Sequence, residues 1–187
     1  MYKKIIYVLT FLLFFGLGFG VANAEYFGGK WQQKVVYYGK NSNLDSTYTT
    51  PMNNGLKTWN GIDSNISYKN FMDVGISQPV DVWLSTYTNQ LGYTAAEWAA
   101  GGYYGFGVPS PDDSKAPYTW GNIYIIRANT DPLGSTDKTR VIMHEGGHVL
   151  GLAHTTKWFT SSVMDKDDVF GLDNPTSYDK TNIQDLY

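Results

Sequence analysis

Hydrophobic and polar positions change period several times along this chain, and each change predicts an element. Gln32–Tyr38 has the β-branched and aromatic content of a first strand. Thr50-Pro51 then opens a helix, since proline is tolerated in a first turn. Met52, Leu56 and Trp59 follow at i, i+4 and i+7, which gives that helix one buried stripe, and Gly61 stops it. Ile66–Tyr68 predicts a short strand, Val80–Leu84 a stronger one and Asn122–Arg127 another. Between the last two, Trp98–Trp120 is rich in Gly, Tyr and Trp, holds Pro109 and Pro111, and shows no period; it predicts a long surface loop. A helix is expected from caps near Ser135–Asp137 to Gly151. A last one starts at the cap pair Thr176 and Asp179 and buries Ile183 and Leu186.

The N-terminus has a different pattern. Lys3 and Lys4 precede an apolar run from Ile5 to Val21, and Ala22-Asn23-Ala24 matches a small-residue cleavage site. Residues 1–24 are therefore expected to be a secretory signal peptide, and residues 25–187 a single exported domain. The full chain carries a net charge of −3, and loss of Lys3 and Lys4 takes it to −5. That mild acidity argues against nucleic acid and against stable membrane association after signal removal. The chain has no cysteine, so no disulfide framework supports it; with 16% aromatic residues it has ample core material instead.

The candidate chemistry is concentrated in one place. All 3 histidines lie between His144 and His154, in the spacing H-E-x-x-H-x-x-G-x-x-H. Positions i and i+4 of a helix share a face, so His144 and His148 can hold one ion together. Glu145 sits at the flank of the first ligand, placed to take a proton from a water without binding the metal. Gly151 tolerates a left-handed conformation, which lets the helix stop and the chain return with His154. Three nitrogens with a fourth position left to water describe a catalytic zinc site, since a structural site closes on four protein ligands. Gly146 and Gly147 each cost this helix roughly 1 kcal/mol relative to alanine, so packing and metal must hold it.

With Ser162-Val163-Met164-Asp165 following, the long motif resembles the metzincin clan of zinc endopeptidases, in which a methionine turn lies beneath the metal. Met164 matches that methionine. Within the clan the chain resembles a matrixin catalytic domain. The closing segment Asp179–Tyr187 is similar to the matrixin D-x-x-x-I-Q-x-L-Y helix, Lys57-Thr58-Trp59 to its first long helix, Asp81 to its A-D-I strand, and Leu91–Ala95 to the strand at the upper cleft rim. The resemblance implies an α/β (α+β) fold: a twisted five-stranded, mostly parallel sheet with one antiparallel rim strand and three main helices. Two departures stand out: no cysteine is present to cap the zinc, and no further histidines to build a second zinc site. No motif supports calcium; Asp112, Asp113 and Asp131 read first as solvated loop acids.

These readings converge on a secreted, extracellular, monomeric endopeptidase acting on polypeptides. One Zn²⁺ is held by His144, His148 and His154, and Glu145 is the general base. The alternatives are a catalytically idle binding protein on the same fold and a zinc hydrolase of cell-wall amides. Glu25–Lys30 is expected to be too short to block the cleft, so the chain beginning at Glu25 should need no second cut.

Overall fold

The computed structural model describes residues 25–73, 79–111, 116–155 and 160–187. The expected signal segment, Asp112 and Asp113 lie outside the described residues. Five strands form one sheet: β1 (Val35–Lys40), β2 (Ser67–Asn70), β3 (Val82–Thr86), β4 (Gly105–Ser110) and β5 (Trp120–Ile125), in the order β2-β1-β3-β5-β4. The pairings of β1 with β2, β1 with β3, and β3 with β5 are parallel; β4 alone runs antiparallel to its neighbour, Gly107 facing Ile123. This is the mixed α/β sheet the resemblance implies.

Among the described residues, four helices of six residues or more accompany it: α1 (Thr49–Lys57), the short α2 (Ala95–Ala100), α3 (Ser135–Val149) and α4 (Ser177–Leu186). Met52 and Leu56 of α1 are buried as their spacing requires, and so is Trp59, although the helix ends at Lys57 and Trp59 lies in the turn after it; each is at most 2% exposed. Helix α1 lies on α3 closely enough that a Cβ at Gly55 would stand 2.7 Å from the Thr139 carbonyl oxygen. Val36, Tyr38, Leu84, Ile123 and Ile125 cover the helices from the sheet side, and Ile142, Met143 and Val149 face them from α3. Ser135 is the first residue of α3, with Gly134 as its N-cap. The Thr176–Asp179 capping box of α4 forms as expected. No described helix is long and apolar enough to cross a membrane.

The stretch Trp98–Trp120 differs from its expectation as a loop: it contains the end of α2 and all of β4. The rim strand is Gly105–Ser110, not Leu91–Ala95, where Thr94 instead caps α2 through a reciprocal pair with Glu97. The signal was missing for a physical reason. Gly-Phe-Gly-Val-Pro-Ser alternates only two apolar side chains, Phe106 and Val108, between glycines that weaken a strand, and proline is excluded from central strands. As an edge strand, β4 accommodates Pro109 opposite Gly121. Its glycines answer to the helix beneath: a Cβ at Gly107 would collide with the Glu145 carbonyl oxygen and stand 2.8 Å from His148 Cβ.

Candidate metal centre

Helix α3 carries His144 and His148 one turn apart on the face beneath β4, and both are buried. The helix ends where Gly151 turns to φ +104. There the Gly151 N–H donates to the His148 carbonyl at 2.8 Å and the Leu152 N–H to the Gly147 carbonyl at 3.0 Å. This crossed pair satisfies the last carbonyls of the helix and needs a left-handed residue at the turn. The chain that leaves it brings back His154, which is exposed.

The three imidazoles meet through their Nε2 atoms. That of His154 lies 3.2 Å from His144 Nε2 and 3.1 Å from His148 Nε2. Backbone carbonyls fix the tautomers. His144 Nδ1 lies 2.7 Å from the Val163 oxygen and His148 Nδ1 2.8 Å from the Leu152 oxygen. A carbonyl only accepts, so both Nδ1 atoms carry the proton and both Nε2 atoms present lone pairs. Two lone pairs aimed at a third imidazole nitrogen cannot all be satisfied by the single proton it could carry. A cation among them satisfies all three. The spacing also suits it: nitrogens bound to zinc at tetrahedral angles stand about 3.3 Å apart.

Burial drives the electrostatics. It pulls His144 down to about 4 despite the Val163 carbonyl, and takes His148 well below its ordinary value, with neighbouring imidazoles adding to the effect. His154 is lowered as well, by burial first and then by Lys166. The rings are therefore neutral ligands at ordinary pH. Burial pushes the Glu145 carboxyl up to about 8, against the pull of the Gly107 N–H, which donates to Oε2 at 2.6 Å. Glycine at 105 and 107 makes this possible, since a Cβ at Gly105 would stand 3.2 Å from Glu145 Cγ.

The glycine pair inside α3 has a packing reason. A Cβ at Gly146 would stand 2.6 Å from Leu56 Cδ2, and one at Gly147 would collide with Met164 Sδ and stand 2.8 Å from Trp59 Cζ2. Met164 thus lies against the helix between the two ligands. Aromatic donors hold the same stretch: Trp59 Nε1 to the Met143 carbonyl at 2.9 Å, Tyr68 Oη to Gly146 at 2.9 Å, Trp31 Nε1 to Val149 at 2.9 Å and Tyr187 Oη to Leu150 at 2.8 Å.

Asp179 does more than cap α4. It is fully buried, and its carboxylate accepts from Ser162 Oγ at 2.5 Å, Val163 N at 3.1 Å and Thr176 N at 2.8 Å. It therefore fixes the turn whose Val163 carbonyl orients His144. Sequence reasoning found Asp179 as a cap; nothing in the spacing tied it to the metal ligands. Asp131 accepts from Tyr48 Oη at 2.6 Å and Arg127 Nε at 2.9 Å, an engaged rather than a solvated acid.

The site opens into a cleft of about 780 Å³ between β4 and the segment from Lys166 to Phe170, with Glu145 and all three histidines in its wall. Phe27 also lines it. The segment Glu25–Lys30, expected to be too short to block the cleft, does reach its wall through this aromatic ring.

Fold and site together define a mixed α/β architecture with three imidazoles that could hold a metal ion and a buried carboxylate in one cleft. No protein-family model matches the sequence, and no curated protein matches it. Among solved structures the chain is similar to high choriolytic enzyme 1, a hatching enzyme zinc-protease from Oryzias latipes (medaka fish). That similarity has a TM-score of 0.49 and 13% identity, covering 84% of this chain and 94% of that chain.

Proposed function

We propose that this chain is a secreted zinc-dependent endopeptidase of the metzincin type, with matrixin features in its closing helix. The observation that carries the reading is the convergence of three Nε2 atoms, two of them with tautomers locked by backbone carbonyls, in a cleft that also holds Glu145. When bound there, zinc supplies a Lewis acid and lowers the pKa of a coordinated water. His144, His148 and His154 would hold it as neutral imidazoles.

The remaining work falls to the chain's own groups. Positive charge in the cleft favours the ionised form of Glu145, offsetting the burial that raises it. As carboxylate, Glu145 takes the proton of the attacking water and passes it to the departing amine. The Gly107 N–H holds Oε2 in place for that transfer. Among the described residues strand β4 pairs with β5 alone, so its other edge offers backbone groups to a peptide in extended conformation. This edge supports a polypeptide substrate over a small amide.

The test is cleavage of an unfolded protein such as casein by residues 25–187, with and without chelator. Chelator-sensitive fragments, restored by added zinc, are the expected result. A folded, zinc-loaded protein that leaves casein and a broad peptide library intact refutes the reading. Export of the full chain with cleavage after Ala24, read by mass, tests secretion separately.

A further inference from the structure

Glu25–Phe27 runs antiparallel to the turn between the second and third histidines. The Phe27 N–H donates to the Gly151 carbonyl and the Ala153 N–H to the Glu25 carbonyl, both at 2.8 Å, and Tyr26 pairs with Leu152. Gly28, at φ +102, reverses the chain. Gly29 lies so close to Tyr118 that a Cβ would stand 2.8 Å from its ring carbon Cζ. Beyond it, Lys30 Nζ donates to the Leu186 carbonyl at 2.9 Å and Trp31 is sunk in the core. Phe27 is therefore held from both sides. Its ring stacks on His148, with centroids 5.6 Å apart and planes 29° apart, yet the residue is 42% exposed. One part of the ring rests on a metal ligand while another faces the cleft.

The position along the cleft is also defined. At the start of β4, Tyr104 meets Phe170 edge-on at 4.9 Å. Further along the strand, Gly107 lies over Glu145 and His148, and the Phe27 ring stacks on His148. An extended peptide beside β4 advances about 3.3 Å per residue and turns alternate side chains the same way. Phe27, Phe170 and the three histidines all line the cleft that such a chain would occupy.

We propose that Phe27 is a specificity-determining residue: its ring walls a subsite on the His148 side of the metal centre that takes an apolar or aromatic side chain of the peptide substrate. This rests on the peptidase reading above. The proposed wall comes from the Glu25–Phe27 segment, far in sequence from the histidine motif.

The test compares wild type with Phe27→Ala and Phe27→Leu on a peptide library, by sequencing cut sites and measuring kcat/KM. The wild type is expected to favour an apolar residue at one position on one side of the cut. Phe27→Ala should lower kcat/KM for those peptides roughly 10-fold, as losing one aromatic contact allows. Peptides with glycine at that position should change less than about twofold, and Phe27→Leu should retain most of the preference. Zinc affinity, read by chelator competition, should not move. An unchanged cleavage preference overturns the proposal; so does an equal loss on all peptides with weaker zinc binding, which would make the ring a prop for His148. Anisotropy with a labelled, uncleaved apolar peptide separates the two readings. If the wild type cleaves nothing, the peptidase reading fails, and equal binding of that peptide by wild type and Phe27→Ala then overturns the role of Phe27 on its own.

Discussion

Replacing Gly107 by alanine adds a single methyl group where β4 crosses α3. That carbon would collide with the Glu145 carbonyl oxygen and stand 2.8 Å from His148 Cβ. Both obstacles are main-chain or Cβ atoms of a buried helix, so no rotamer change relieves them, and the strand must lift. Overpacking of this kind costs about 1–3 kcal/mol. In the zinc-loaded protein, where Glu145 would be ionised, lifting the strand also weakens the 2.6 Å bond from the Gly107 N–H to Glu145, worth about 1.5–3 kcal/mol as a bond to a charged group. The restricted unfolded chain returns about 0.4–1 kcal/mol. The net expectation is a loss of about 3 kcal/mol, or a melting point lower by about 10 °C for a domain of this size. Urea midpoints and thermal scans of wild type and Gly107→Ala measure it. Gly134→Ala serves as control, because nothing lies within 4 Å of its added carbon. A Gly107→Ala protein melting within about 2 °C of wild type would refute the close approach of strand and helix on which the account of Glu145 depends.

Glu145→Gln should keep its hydrogen bond from Gly107 and bind zinc with near wild-type affinity, while turnover falls about 10²–10⁴-fold; near-normal cleavage by the zinc-loaded variant would remove Glu145 as base. Asp179→Asn presents an NH₂ group to one of its buried donors, so about 2–3 kcal/mol of stability should be lost. Zinc affinity should fall with it, because the Val163 carbonyl that orients His144 shifts; chelator competition showing unchanged affinity would disconnect the two. The last prediction concerns metal-free protein, in which His144 titrates at about 4 in the fold and about 6.5 when unfolded. Between those values the unfolded chain binds the extra proton, so this contribution to stability is lost as pH falls, on the order of 3 kcal/mol from pH 7 to pH 4. Glu145, raised to about 8, acts in the opposite sense, its stability being lost as pH rises. The measurement is therefore the difference between chelated wild type and His144→Gln, and a difference independent of pH would contradict the buried, neutral ring.

The three-histidine cluster was legible because each relation within it is local. Two histidines four residues apart on a helix share a face, and a glycine that can take φ +104 turns the chain back within a few residues. The stripe of α1 and the capping box of α4 were legible for the same reason: periodicity and side-chain-to-backbone bonds act over one or two turns. Strand β4 was not, because what selects Gly105 and Gly107 is a helix some forty residues away in the chain, and glycine in a strand otherwise signals a break. Gly146 and Gly147 read as a defect until Leu56, Trp59 and Met164 are seen filling the space against them. Phe27 reaches the site by stacking on His148, and Asp179 by holding the Ser162–Val163 turn; the Phe27 contact bridges residues far apart in sequence, and neither is a matter of spacing within one element. Local spacing therefore determined which atoms could bind a metal. Only the packed fold decided which backbone groups orient them, which edge lies open beside them and which ring walls the cleft, because those depend on surfaces far apart in sequence.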